Sequence, residues 1–165
     1  YIASSKALID YLRESSFGSV YSSTMPIPCA QQALSAFKVI TGEDGTDIGS
    51  QKLARLKENS NYFRDGLRKL GFEVIGDEDS PVMVVMLYNP AKMPGFSRES
   101  LRRGLAIVVV GSPATEIIES RVRFCISAAH TIQDLEKALA ALSEVGDYTL
   151  TKYKSWQSQL KAILF

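Results

Sequence analysis

The sequence predicts an α+β domain in which a small, mostly antiparallel sheet has helices on one face. Four short apolar segments have the length and composition of strands, and helical segments precede and follow them without a regular alternation. The chain has 165 residues, 45% of them hydrophobic, which is enough for about one domain with its own core.

The first third of the chain is predicted to be helical. One helix begins after Ser4 and Ser5, because hydroxyl side chains favour helix N-termini. Another begins at Pro26 and Pro28 and ends at Gly42. Its apolar residues recur at helical spacing, and we expect them to belong to the core: Ala30, Leu34, Phe37 and Ile40.

A long amphipathic helix is predicted for residues 47–70, with Gly71 at its C-terminus. Its inward face would be formed by Leu53, Leu56, Phe63, Leu67 and Leu70. Strands are predicted at 72–75 and 82–88, with an acidic turn between them. We expect the carboxylates of residues 77–79 to be solvated; a metal or acid–base cluster is the alternative.

The second half of the sheet is predicted to follow a loop at 89–95. Ser97 would cap a short helix at 98–103, and residues 105–110 would form a buried strand. After a further strand, Thr131 to Asp134 resembles a capping box that begins the last helix. The core face of that helix would consist of Ile132, Leu135, Leu139, Leu142 and Val145.

Three parts of the chain are expected: a helical link at 1–45, an α+β domain at 46–147 and a divergent tail at 148–165. The tail mixes basic and apolar residues, among them Tyr153, Trp156, Leu160, Ile163 and Leu164. Such a mixture suits a helix on a partner or membrane surface, or a partly ordered terminus. Because the chain begins with Tyr1 rather than Met, we expect a fragment of a longer protein.

Charge and cysteine content argue against several functions. Nineteen basic and eighteen acidic residues leave a net charge of +1, without the basic block that nucleic-acid binding needs. No apolar run approaches the ~20 residues of a membrane span. His130 is the single histidine, which argues against a metal site, and we expect Cys29 and Cys125 to be reduced thiols.

The main candidate binding site lies in residues 121–131, Arg-Val-Arg-Phe-Cys-Ile-Ser-Ala-Ala-His-Thr. Val122 and Phe124 alternate with Arg121 and Arg123, which places both arginines on one side of a half-buried strand. Guanidinium groups in this position can bind a carboxylate or phosphate. Solvated charges on an edge strand are the simpler alternative.

Two further segments have a structural and a functional interpretation. Ser23 and Thr24 precede the helix that begins at Pro26, where they would either cap it or form part of an anion site. Residues 111–115 form a small and stiff loop after a predicted strand, which is either a turn or part of a substrate site.

The run at 121–131 resembles the carboxy-terminal signature of the α-oxoamine synthases. These pyridoxal phosphate enzymes condense an amino acid with an acyl-CoA and release CO2. Residues 42–45, 78–82, 87–92 and 108–115 extend the resemblance over residues 1–148 and narrow it to members that use serine and palmitoyl-CoA. The resemblance implies the small C-terminal domain of a fold-type I enzyme. It also implies that the Schiff-base lysine precedes Tyr1, so that the fragment alone has no catalytic residue and is inactive.

The resemblance implies roles for individual residues as well. Arg123 would bind the substrate carboxylate, and the loop over the substrate would consist of Pro113, Ala114 and Thr115. Thr24, with Ser23 second, would contact the phosphate of pyridoxal 5'-phosphate in the neighbouring subunit. Arg121 would pair with an acid such as Glu119, and His130 would cap or pack near the next helix. The sequence departs from the family pattern at Ser112 and Glu116, where phenylalanine and proline are common.

For the intact protein, the resemblance implies the synthesis of 3-ketosphinganine, CO2 and CoA, the first step of sphingolipid synthesis. It implies a second long-chain-base subunit in a heterodimer, or a homodimer, at the cytosolic face of the endoplasmic reticulum. The alternatives are a related enzyme that uses glycine or alanine, and a non-catalytic interaction domain. No nucleic-acid partner and no transmembrane segment of this chain are expected.

Overall fold

The computed structural model describes residues 2–154. The chain divides into two compact units, Tyr1–Gly49 and Ser50–Phe165. Four residues of the predicted surface helix in the tail lie outside the described residues: Trp156, Leu160, Ile163 and Leu164.

The first unit consists of three helices, α1 (Lys6–Ser15), α2 (Phe17–Tyr21) and α3 (Ile27–Thr41). Pro28 lies in the first turn of α3, where a helix needs no N–H donor. Gly42 ends α3 with φ at 77°, a left-handed conformation that glycine adopts without strain.

No residue of α1, α2 or α3 is buried. The expectation that the apolar residues of α3 belong to the core is therefore wrong, since Leu34, Phe37 and Ile40 are 49%, 44% and 45% exposed. Helical spacing identifies an apolar face, but it does not say whether another element covers that face.

The second unit is an α+β domain, which confirms the predicted fold class. Its helices are α4 (Ile48–Lys69), α5 (Lys92–Arg102) and α6 (Ile132–Thr149). Its strands are β1 (Val74–Ile75), β2 (Val82–Tyr88), β3 (Val108–Val110) and β4 (Ser120–Cys125). The sheet order is β1-β2-β4-β3, and every neighbouring pair is antiparallel.

One face of the sheet belongs to the core. Paired residues of β2 and β4, such as Val85 with Val122 and Met83 with Phe124, are buried there. Side chains from all three helices complete this core: Phe63 and Leu67 from α4, Phe96 from α5, and Leu135, Leu142 and Val145 from α6. The other face is more open, since Val82 and Val108 are 38% and 48% exposed.

Three elements differ from their predicted ranges, the first being β1, which covers only Val74–Ile75 of the predicted 72–75. Helix α5 begins at Lys92, so residues 92–95 are helical instead of a loop and Ser97 is not a cap. Pro94 fits because the first turn of a helix does not use its N–H groups. Strand β3 covers only Val108–Val110 and lies at the sheet edge, so the prediction of a buried strand at 105–110 is wrong.

Two residues predicted to face the core are exposed. Leu53 is 51% exposed and Ile132 is 42% exposed. Both lie near the N-terminus of their helix, before the stretch that packs on the sheet: the first buried residues after them are Asn59 in α4 and Leu135 in α6. Within residues 2–154, no helix is long and apolar enough to cross a bilayer.

Candidate active site

Arg123 lies in the interior of the sheet, because β4 is between β2 and β3. Its backbone pairs with Val84 on one side and Val108 on the other. The side chain is exposed on the face opposite to Val122 and Phe124, as the alternation predicts. The alternative interpretation places these arginines on an edge strand. That placement is wrong, because β4 is a central strand.

The two arginines of β4 differ in their partners. Arg121 donates from Nε to the backbone oxygen of Glu119 at 3.0 Å and pairs with the Glu119 carboxylate, which confirms the predicted pairing. The side chain of Arg123 makes no hydrogen bond or ion pair with any residue that the structure describes. Its guanidinium group is therefore available to an external anion.

The loop that includes Pro113, Ala114 and Thr115 connects β3 to β4. The N–H groups of Ala114 and Thr115 donate to the oxygen of Gly111 at 3.0 and 3.3 Å, so the loop is a compact turn. The last residue of β3, Val110, pairs with Arg121. The loop therefore begins next to the end of β4 at which Arg121 lies. It belongs to the same unit as Arg123, and Val110, the residue before the loop, is two register positions from Arg123.

The turn between β4 and α6 is held by Asn59 of α4. This side chain is 3% exposed, and its Nδ2 donates to the oxygens of Ser127 at 3.2 Å and His130 at 2.9 Å. His130 accepts the Ser127 N–H at Nδ1, in agreement with a packing role near α6. Asn59 was not predicted, although a polar residue on the apolar face of α4 was a signal for it.

Thr131 and Asp134 form the predicted capping box at the start of α6. The Asp134 N–H donates to Thr131 Oγ1 at 3.2 Å, and the Thr131 N–H donates to Asp134 Oδ2 at 3.0 Å. Hydrogen bonds from the side chain and backbone of Thr131 lower the pKa of Asp134. The box therefore fixes the position at which the chain leaves the turn after β4.

Arg64 anchors the acidic turn before β2, a role that no sequence pattern indicated. Its side chain is 2% exposed. It donates to the backbone oxygens of Glu78 at 2.9 Å, Asp77 at 2.8 Å and Ser80 at 2.6 Å. The exposed carboxylate of Glu78 pairs with Arg68 at 3.1 Å and that of Asp79 with Lys57 at 3.6 Å.

Ser23 and Thr24 lie in the exposed segment between α2 and α3. Neither caps α3, whose N-cap residue is Pro26 without a side-chain hydrogen bond, so the capping interpretation is wrong. Within the described part of the chain, their hydroxyl groups have no hydrogen-bond partner. Two free hydroxyl groups before a helix suit a phosphate, because both can donate to its oxygens.

Comparison with known proteins assigns the class of the chain. Residues 1–142 match the family model for aminotransferase class I and II, and the chain belongs to this family. The resemblance seen in the sequence is thereby confirmed.

Among its relatives, long chain base biosynthesis protein 2a of Arabidopsis thaliana is 58% identical over 93% of this chain and 31% of that protein. Serine palmitoyltransferase 2 of Dictyostelium discoideum is 55% identical over the same shares. Serine palmitoyltransferase 3 of Homo sapiens is 42% identical over 100% of this chain and 30% of that protein. The chain thus spans about a third of the length of these relatives.

Solved structures confirm the fold. Serine palmitoyltransferase of Sphingomonas wittichii matches with a TM-score of 0.69 and 22% identity, over 89% of this chain and 36% of that chain. A serine palmitoyltransferase with a pyridoxal phosphate internal aldimine matches with a TM-score of 0.73 and 21% identity, over 90% and 36%. The chain therefore has the fold of the corresponding part of these enzymes.

Proposed function

We propose that the intact protein is the catalytic long-chain-base subunit of a serine palmitoyltransferase. It condenses L-serine with palmitoyl-CoA and produces 3-ketosphinganine, CO2 and CoA. The names of relatives that are 42% to 58% identical over nearly the whole chain support this proposal. The observation that carries it is Arg123, an unpaired guanidinium on the open face of a central strand.

In this proposal, Arg123 binds the carboxylate of serine. A planar guanidinium can donate two parallel hydrogen bonds to a carboxylate, and each charge-assisted bond contributes about 1.5–3 kcal/mol. The backbone of Arg123 is paired on both sides, so the group starts from a rigid strand. Fixing the carboxylate there orients the bonds around the serine Cα, which is a direct contribution to the rate.

Pyridoxal 5'-phosphate is the cofactor that this proposal requires, and Ser23 and Thr24 are suited to hold it. Thr24 would donate its hydroxyl to the phosphate of the cofactor in the neighbouring subunit, with Ser23 as the second donor. When bound, the cofactor withdraws electrons from the Cα of the amino acid. The lysine that attaches it lies outside this chain, so we expect the isolated chain to be inactive.

The remaining roles follow from the same proposal. Pro113, Ala114 and Thr115 cover the bound substrate and exclude water from it. The partner is a second long-chain-base subunit in a heterodimer or, alternatively, a second copy in a homodimer. The enzyme works at the cytosolic face of the endoplasmic reticulum.

Substitution of Arg123 by alanine in the intact enzyme tests the central role. We expect the KM for serine to rise by about 10- to 100-fold, because one charge-assisted interaction of about 1.5–3 kcal/mol is lost. The KM for palmitoyl-CoA should change little. The matched control is Arg121→Ala, which removes an arginine from the same face that is already paired with Glu119.

Two outcomes would contradict the proposal. One is unchanged saturation with serine in the Arg123→Ala enzyme. The other is a wild-type enzyme that turns over glycine or alanine but not serine, which would favour the related enzymes of the family instead.

A further inference from the structure

Arg123 belongs to a row of paired residues that crosses the sheet from β1 to β3. Its backbone pairs with Val84 in β2 and Val108 in β3, and Val84 pairs in turn with Ile75 in β1. Directly paired residues of antiparallel strands extend from the same face, with their Cβ atoms about 4.5–5.5 Å apart. The Arg123 side chain therefore leaves the open face of the sheet between two valines.

The two arginines of β4 are restrained in different ways. Arg121 has a polar partner, because its guanidinium pairs with the Glu119 carboxylate. The Arg123 side chain forms no hydrogen bond or ion pair with the described residues, so no polar contact among them fixes its direction. An arginine side chain has many rotamers, and an anion binds a mobile one more weakly because binding must first order it.

The flanking valines can supply this restraint through apolar contact. The methylene stem of an arginine packs on apolar surface, while its guanidinium extends beyond that surface into water. Val84 is half-buried and Val108 is 48% exposed, so both retain apolar surface on the open face. Valine is also stiff at χ1, because it is branched at Cβ. The two side chains are therefore suited to form fixed walls on either side of the stem.

We propose that Val84 and Val108 are positioning residues for Arg123. They hold its methylene stem between them, so that the guanidinium extends outward from the strand and is ordered before the carboxylate binds. Neither valine contacts the substrate, since both act through the arginine. This inference rests on the proposed function in one respect: it takes the carboxylate on Arg123 to be that of serine.

Removal of both walls in the intact enzyme, Val84→Ala together with Val108→Ala, tests the inference. We expect the KM for serine to rise by about 3- to 10-fold, because binding must now order a mobile side chain, while the KM for palmitoyl-CoA stays unchanged. In an Arg123→Ala background the same two substitutions should not change the KM for serine further. Either single valine variant remains informative if the double variant does not fold.

The matched control is Val82→Ala together with Val110→Ala, which makes the same change in the same two strands and on the same face. Val82 pairs with Cys125 and Val110 with Arg121, so neither is paired with Arg123. Alanine favours strands less than valine does, and the control contains this effect as well. We expect its KM for serine to equal that of the wild type.

The order of the Arg123 side chain has its own measurement. Nuclear magnetic resonance relaxation of the Arg123 Nε–H group in the intact, serine-free enzyme reports its motion as an order parameter. This order parameter should be lower in the double valine variant than in the wild type and unchanged in the control. The inference is overturned if the valine variant keeps the wild-type order parameter, or if Arg123→Ala raises the KM for serine and the valine variant does not.

These measurements separate the inference from the proposed function. If Arg123→Ala leaves saturation with serine unchanged while the valine variant lowers the order parameter, the proposed function fails and the positioning of Arg123 stands. If Arg123→Ala raises the KM for serine while the valine variant changes neither the order parameter nor that KM, the inference fails and the proposed function stands.

Discussion

Two neighbouring arginines of β4 show how position along a strand decides what a side chain can do. Arg121 and Arg123 extend from the same face, but Glu119 lies two residues before Arg121 and neutralises it. Arg123 is two residues further from that carboxylate and keeps an unpaired, exposed guanidinium. Because this group remains solvated, the fold carries little desolvation penalty for it.

The capping box at Thr131 makes a prediction about acid stability. The pKa of Asp134 is lowered in the folded protein, so its contribution to stability is present above the unfolded pKa and is lost as the pH falls through the folded one. Thr131→Ala removes the hydroxyl group that donates to this carboxylate. At pH 7 we expect α6 to lose about 1 kcal/mol of stability, as measured by amide hydrogen exchange.

The difference between wild type and Thr131→Ala should shrink below the ordinary aspartate pKa of about 3.9, where Asp134 is protonated in the unfolded chain. Nuclear magnetic resonance titration should also show the pKa of Asp134 moving up towards its ordinary value in the variant. An unchanged titration of Asp134 would contradict this account of its pKa.

The polar contacts that were predicted correctly from the sequence join near neighbours in the chain. Arg121 pairs with a residue two positions away, and Thr131 with one three positions away. By contrast, Asn59 bonds to oxygens that are 68 and 71 positions away. Such partners depend on the tertiary fold. A local pattern can therefore show that Asn59 is a polar residue on an apolar face, but it cannot identify the hydrogen-bond partners of Asn59.

Helix α4 is the element that fixes both strands around the site. Asn59 holds the turn after β4, and Arg64 holds the turn before β2, while Phe63 and Leu67 pack between them in the core. Polar side chains on a buried face are expensive unless they are satisfied, and these two bond to backbone oxygens of the turns. One helix thereby positions the paired strands that carry Val84 and Arg123.

Arg64→Leu tests this anchoring role. The substitution leaves the backbone oxygens of Asp77, Glu78 and Ser80 without this donor in a partly buried position. We expect the free energy of unfolding to fall by about 3–5 kcal/mol. Urea denaturation of the purified intact protein measures this change.

Arg68→Leu is the matched control for Arg64, one turn further along α4. Arg68 is 37% exposed and its ion pairs with Asp65 and Glu78 are at the surface, so its loss should cost less than about 1 kcal/mol. Equal effects of the two substitutions would show that Arg64 does not anchor the turn.

Central elements were easier to predict than peripheral ones. The observed range of β2 agrees with the predicted range at both ends. A short, continuous apolar run between a turn and Asn89-Pro90 is typical of a buried strand and fits few other elements. Strand β3 has a similar composition, but its position at the sheet edge leaves residues 105–107 unpaired. Strand order depends on the whole fold, so the composition of a single segment does not predict it.

At the scale of the whole molecule, the chain returns to the sheet after α6. Thr151 is fully buried, and the Lys154 N–H donates to the oxygen of Gly71 at 3.0 Å. Residues 150–154 therefore contact the α+β domain, although the sequence pattern assigns them to a divergent tail. Leu150 and Tyr153 form hydrogen bonds with residues more than fifty positions earlier, which a local pattern does not reveal.

Tyr153 is the residue through which this return can be tested. Its hydroxyl group donates to the oxygen of Leu87 at 2.6 Å and accepts from Lys92 Nζ at 3.1 Å, so it joins the end of β2 to the start of α5. Tyr153→Phe keeps the ring and removes both hydrogen bonds. We expect the free energy of unfolding in urea to fall by about 1 kcal/mol, because the Leu87 oxygen keeps the Asn89 N–H as a donor but loses the Tyr153 hydroxyl in a partly buried position. Tyr148→Phe is the matched control: Tyr148 is 70% exposed, and its loss of a hydroxyl should change stability by less than about 0.5 kcal/mol. If the two variants were equally stable, the hydrogen bonds of Tyr153 would not contribute to the stability of the domain.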